Sequence, residues 1–245
     1  MIVRDLGDAW QVVLQTDHAD LAAGFARAWA DRGPRHESLT LATERHDDGW
    51  AVWEASPQVD AAGTPVSFLE VDVTAHLAFY RACIAAVTDE DPYAGLLVSM
   101  HGAGIYRQRY GSDLGLTLSR AGDVQELVDA FVAEQERSHA GRASAMGVDD
   151  ERRWADYRLL QVYDRLALHF CMRDVASQGA ELEGYRLEPA GEWHVRIDPY
   201  PFVAETTHLT LVRRVVPKRA WTQDEFRHGL HELAPESLEV VVAPA

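Results

Sequence analysis

The chain has 245 residues, 47% hydrophobic and 25% charged, with a net charge of −16 and Lys218 as its single lysine. That length suits one sizeable core or a core with a small appendage. The acidity argues against non-specific binding to nucleic acid or an anionic membrane surface, since both require phosphate neutralisation.

In chain order, "IVRDLGDAWQVVLQ" alternates on both sides of Gly7-Asp8, the pattern of a short hairpin. Asp17 is placed to cap a helix from about His18 to Asp31, with Leu21, Ala22, Phe25, Ala28 and Trp29 on one face. Gly33-Pro34 ends it. A second helix is expected over roughly His36 to Asp47, stopping at Gly49, and "SPQVDAAGTPVSF" reads as a loop. A third begins near Asp72 or Thr74 and carries His76, Tyr80, Cys83, Ile84 and Val87 on one face. "AGLLVSMHGAGIY" is read as helix, although a buried strand fits its apolar run as well. Residues 107–121 read as irregular, and two long helices follow, about Val124 to Met146 and Arg152 to Met172.

After Gly179 the pattern changes. "YRLEPAGEWHVRIDPYPF", "THLTLVRRVVP" and "LEVVVAPA" alternate like strands, and Thr222 opens a short helix in "TQDEFRHGLHEL". The fold expected is therefore mainly α: a helical body over residues 1–179 and a small α+β cap over 180–245, packed as one unit. The N-terminal hairpin should join the sheet of the cap, because two strands alone are marginal. No run of about 18 apolar residues offers a membrane span. The start "MIVRDLGDAW" lacks the features of a signal peptide, so cytoplasm is the expected compartment. Cys83 and Cys171 form no CxxC pair and read as buried, inert thiols.

Several polar residues fall on apolar helix faces. His18 precedes Leu21 and Ala22 by one turn, and His76 shares a stripe with Tyr80 and Ile84. Asp164 lies between Leu160 and Ala167, and His101 follows the apolar "LLVSM". A buried carboxylate must be paired or metal-bound, because an isolated buried charge is too costly. Together with the adjacent His46-Asp47, these are the ligand types that borderline divalent metals prefer. Taken singly, each histidine has the ordinary reading of a core residue, and Asp164 that of a partner for Arg165 or for a helix N-terminus.

The order His18, His46-Asp47, His76, His101, Asp164 resembles the HD-domain metalloenzyme superfamily over about residues 12–172. The chain as a whole looks like a bacterial family catalogued only as a domain of unknown function. The resemblance implies a bundle in which His18, His46, Asp47 and Asp164 hold one metal. His76 and His101 match the extra pair that holds a second metal in dinuclear members, with Asp47 bridging. Two divalent ions are thus expected, iron favoured and manganese or zinc as alternatives.

Two activities share that ligand list. Most HD-domain proteins resemble phosphohydrolases, and a minority with the dinuclear set resemble diiron oxygenases. Trp50 stands in "HDDGW" where many members carry a lysine nearby, and this with the acidity favours the oxygenase acting with O2 on a small organic molecule. The alternatives are a metal-dependent phosphohydrolase or phosphodiesterase, and a non-catalytic metal-binding or sensing domain. Arg107 and Arg109 are candidates for substrate contact, Gln15 for a bond to metal-bound water, and Asp48 and Glu54 for support of the ligands. Trp50 and Trp53 read as core or as cavity wall. His228 and His231 read as a solvated helix face, Ser99 and Ser119 as lacking a His-Asp context, and a homo-oligomer is left open.

Overall fold

The computed structural model of the chain describes residues 1–111 and 124–245. Seven strands and eight α-helices are assigned within them, with three short 3-10 turns between helices. The strands are β1 (Ile2–Asp5), β2 (Ala9–Val13), β3 (Ala180–Leu182), β4 (Tyr185–Gly191), β5 (His194–Asp198), β6 (Thr207–Pro217) and β7 (Glu236–Pro244). The helices are α1 (Gln15–Ala28), α2 (His36–Arg45), α3 (Ala51–Glu54), α4 (Val73–Glu90), α5 (Pro92–Ile105), α6 (Gln125–Ala145), α7 (Asp150–Met172) and α8 (Gln223–Glu232). Among the described residues, no helix is long and apolar enough to cross a membrane.

Local chemistry explains most boundaries. Asp72 accepts the Thr74 and Ala75 N–H groups to start α4, and Asp91 accepts those of Tyr93 and Ala94 to start α5. Pro92 then occupies the first turn of α5, where its missing donor costs nothing. These two features settle "AGLLVSMHGAGIY" as a helix, and its near-complete burial explains why the apolar run has no clear period. Thr222 and Glu225 form the capping box of α8. The start of α1 differs from expectation. It begins at Gln15, because the Glu54 carboxylate accepts the Gln15 N–H at 2.6 Å, and Asp17 lies in the first turn rather than at the cap. A cap supplied from 39 residues away leaves no local signature.

The expected mainly α body with a small cap is corrected to an α+β fold. About 53% of the chain is helical and 21% is strand, in one seven-stranded mixed sheet ordered β1-β2-β6-β7-β5-β4-β3. All neighbours are antiparallel except β5 and β7. The tail strands and the N-terminal hairpin are parts of the same sheet, through β2 pairing with β6 from Ala9↔Pro217 to Val12↔Arg214. This long-range pairing turns a cap into a structural layer. Strand periodicity identifies which residues face inward, but not how many strands pair.

Alternation along β2 divides two cores. Val13 joins Ile2 and the helical layer, where Phe25, Leu160 and Phe170 are fully buried. Trp10 and Val12 join the smaller cluster of Met1, Trp50, Trp53, Val216, Phe226 and Leu230, formed with α8. Gln11, facing the opposite way from Trp10, is wholly buried and donates to the Cys171 carbonyl at 2.9 Å, tying the sheet to the end of α7.

The turn from α2 into α3 passes close to α4. A Cβ at Gly49 would lie 2.2 Å from the Phe79 carbonyl oxygen, so only glycine allows this backbone approach. Gly49→Ala is expected to destabilise the fold by about 1–3 kcal/mol through overpacking, read as a lower urea midpoint. An unchanged midpoint would contradict the tight contact.

Candidate metal centre

Helices α1, α4, α5 and α7 and the turn after α2 converge on one cavity of about 40 Å³, whose lining includes His18, Asp47, His76, His101, Arg109 and Asp164. At roughly 10–15 Å³ per water, this is room for a few waters, or for an ion and its exchangeable ligands. All six residues expected to bind metal are buried, none more than 5% exposed. His46 sits at the C-terminal end of α2, with Asp47 next in the chain, and His46 Nδ1 donates to the Thr43 carbonyl at 2.7 Å. That bond turns Nε2 inward, 3.4 Å from Asp47 Oδ2 and 3.7 Å from Asp164 Oδ1, with no hydrogen-bond partner. His18 Nε2 lies 2.9 Å from the same Asp164 oxygen.

Among the described residues, two buried groups therefore could hold a metal ion. His18, His46 and Asp47 bring ligand atoms within 4.8 Å of one another, and so do His46, His101 and Asp164. His76 lines the cavity but belongs to neither group. Its Nδ1 is 2.5 Å from the Tyr106 hydroxyl, and its ring lies edge-on to Trp50 and Tyr80.

Two supporting residues, Tyr80 and Gln161, escape a reading of ligand types alone, and a third, Arg109, expected to contact substrate, is bonded to Asp164. Tyr80 donates to Asp47 Oδ1 at 2.7 Å, Gln161 contacts His101 Nδ1 at 3.1 Å, and Arg109 donates to Asp164 Oδ2. Gln161 was detectable: it is a polar residue three before Asp164 on the same buried helix, the criterion that singled out Asp164 itself. Arg109 reaches the cavity because Gln108, Arg109 and Tyr110 adopt left-handed φ of 51, 49 and 53°.

The other candidates separate clearly. Gln15 lines the cavity. Glu54 is buried but holds the start of α1 rather than a ligand histidine. Asp48 pairs with Arg45, and Arg107 pairs on the surface with Glu136 at 3.1 Å, so neither lines the cavity. Trp50 serves both the smaller core and the cavity wall, while Trp53 serves the core alone. Ser99 does have a histidine neighbour, His139 at 2.9 Å, in a buried cluster with Gln135. Ser119 lies outside the described residues.

The sequence model of the family described as "Protein of unknown function (DUF3891)" matches residues 1–218. The chain belongs to the DUF3891 family. No curated protein and no solved structure matches it. The DUF3891 span contains the whole cavity, and it ends just after β6, before α8 and β7.

The charges of this DUF3891 cavity are interdependent. Burial opposes charge on His46, but Asp47 and Asp164 outweigh it and push its pKa up to about 9. Burial would raise Asp164, yet the Arg109 guanidinium, with His18 and His46, holds it well below the usual carboxylate range. His101 is pushed down to about 3 by burial and by His46, and His76 to about 4 by burial. A raised folded pKa means that His46 contributes full stability below about pH 6.5, lost as pH climbs through about 9. The depressed His76 and His101 contribute stability above about pH 6.5, lost as pH falls towards 4 and 3. Metal-free protein is thus expected to be most stable near pH 6.5 and to weaken by on the order of 2 kcal/mol by pH 9.5, measured by urea unfolding. Over the same rise, metal affinity should increase as His46 gives up its proton. Stability independent of pH across this range would contradict the assignment.

Proposed function

We propose that this chain is a metal-dependent enzyme of HD-domain type, holding iron through His18, His46, Asp47 and Asp164 and oxidising a small organic substrate with O2. The observation that carries the metal reading is the His46 Nε2, buried without a hydrogen-bond partner at 3.4 and 3.7 Å from two carboxylate oxygens. Histidine with carboxylate is a donor set that suits iron, and a bound iron(II) would supply redox chemistry and open positions for O2 and substrate.

The remaining side chains have simpler tasks. Thr43 fixes the His46 ring, Tyr80 holds Asp47, and Arg109 occupies the second oxygen of Asp164, leaving the first to face His18 and His46. Trp50, Phe68, Leu69, Ile105 and Leu168 give the cavity an apolar wall, which suits an uncharged or weakly polar group beside the ion. The resemblance to dinuclear HD enzymes has less support at the second metal, since His76 lies outside both ligand groups. One observation favours phosphoester hydrolysis instead. Arg109 is a guanidinium at the cavity, and it would assist a phosphoryl group if released from Asp164.

Anaerobic loading with Fe(II) is expected to give iron bound by the wild-type chain and an O2-dependent change in its spectrum. Asp47→Ala should abolish binding, while His76→Ala should retain it. Hydrolysis of p-nitrophenyl phosphate by manganese- or zinc-loaded protein, with no response of the iron form to O2, would replace the oxygenase with the hydrolase. Undiminished metal binding by Asp47→Ala would remove the site itself.

A further inference from the structure

We infer that His101 serves this cavity as a neutral imidazole donating its Nε2–H, and not as a metal ligand, because a one-way hydrogen-bond relay from Arg109 to Asp47 fixes its tautomer. The inference deepens the proposed metal centre and rests on it for the count of ions, though not for the tautomer.

The direction is set at both ends. A guanidinium has no acceptor, so Arg109 Nη1 must donate to Gln161 Oε1, 2.7 Å away. This fixes the orientation of the Gln161 amide and presents its NH2 group to His101 Nδ1 at 3.1 Å. An amide NH2 only donates, so Nδ1 must be the unprotonated nitrogen and the ring proton resides on Nε2. His101 Nε2 lies 3.4 Å from the Tyr80 hydroxyl oxygen. Tyr80 gives its own proton to Asp47 Oδ1 at 2.7 Å, which leaves that oxygen able to accept. Every member is buried, Gln161 completely and Arg109 the most exposed at 8%, so water offers little competition.

His46 supplies the contrast. Its Nδ1 faces a backbone carbonyl, which demands Nδ1–H and leaves Nε2 for a cation. The two rings, with centroids 4.7 Å apart, are therefore prepared for opposite tasks. Flipping the Gln161 amide to release His101 would set its NH2 against the Arg109 guanidinium, donor against donor. A second metal thus loses its best candidate ligand, and the cavity keeps one ion with a hydrogen-bond donor beside it. The long 3.4 Å contact leaves that N–H available to a lone pair or developing negative charge on a molecule in the cavity.

The test is the histidine tautomer in metal-free protein labelled with 15N-histidine, read from long-range proton–nitrogen correlations, with His101 assigned by His101→Asn. His101 is expected as the Nε2–H form, to keep that proton when zinc is added, and zinc uptake is expected to stop at one per chain. Gln161→Glu, which accepts where the amide donates, is expected to switch His101 to Nδ1–H and raise zinc uptake above one per chain. A wild-type Nδ1–H tautomer, loss of the Nε2 proton on adding zinc, or an unswitched Gln161→Glu would each overturn the inference. Failure of the wild-type chain to bind zinc would count against the metal centre and leave the tautomer result readable.

Discussion

Asp47 and Asp164 are buried carboxylates that lie 3.4 and 3.7 Å from the same nitrogen of His46. At the separation this geometry permits, their mutual repulsion is on the order of 2 kcal/mol at an effective dielectric of about 20, before any cost of burial. Removing one partner from such a buried arrangement typically costs about 3–5 kcal/mol. The surroundings answer that demand. Arg109 is turned inward by left-handed backbone, His18 approaches Asp164, Tyr80 donates to Asp47, and His46 holds a proton to well above neutral pH. In the metal-free protein, that proton provides the positive charge which a metal ion would bring.

The same constraint organises the helices. Asp47 comes two residues after the end of α2, and Gly49, two residues further on, lets the turn lie against the Phe79 carbonyl of α4. Trp50 then bridges the cavity and the smaller core, which rests on β2 and α8. Glu54 reaches back to the start of α1 and so helps set the position of His18. The stretch "HDDGW" thus joins a turn with two candidate metal ligands to the packing of the sheet.

Much of this was legible in the sequence, and the limits have physical causes. His18, Asp164 and His101 stood out because polar groups on apolar faces need partners, and the structure brings them to one cavity. Arg107 and Arg109 looked equivalent as neighbours in a loop, and only the left-handed turn at 108–110 separates a surface ion pair from a buried one. The starts of α4 and α8 were legible near Asp72 and at Thr222, which act on residues two or three positions away, and Asp91 at α5 carries the same kind of local signal without having been singled out. The capping of α1 by Glu54 was not legible. The joining of the N-terminal hairpin to the tail strands was expected, because two strands alone are marginal, and β2 does pair with β6. The extent of the sheet was underestimated, since alternation carries no record of strand count.

The most direct test of the account is an anomalous-difference map from a crystal of the iron- or zinc-loaded protein, recorded at the absorption edge of that metal. The account predicts one dominant peak bounded by His18, His46, Asp47 and Asp164, with Tyr80 still on Asp47 and Arg109 still on Asp164. A peak elsewhere, or none at full metal occupancy of the solution, would contradict it.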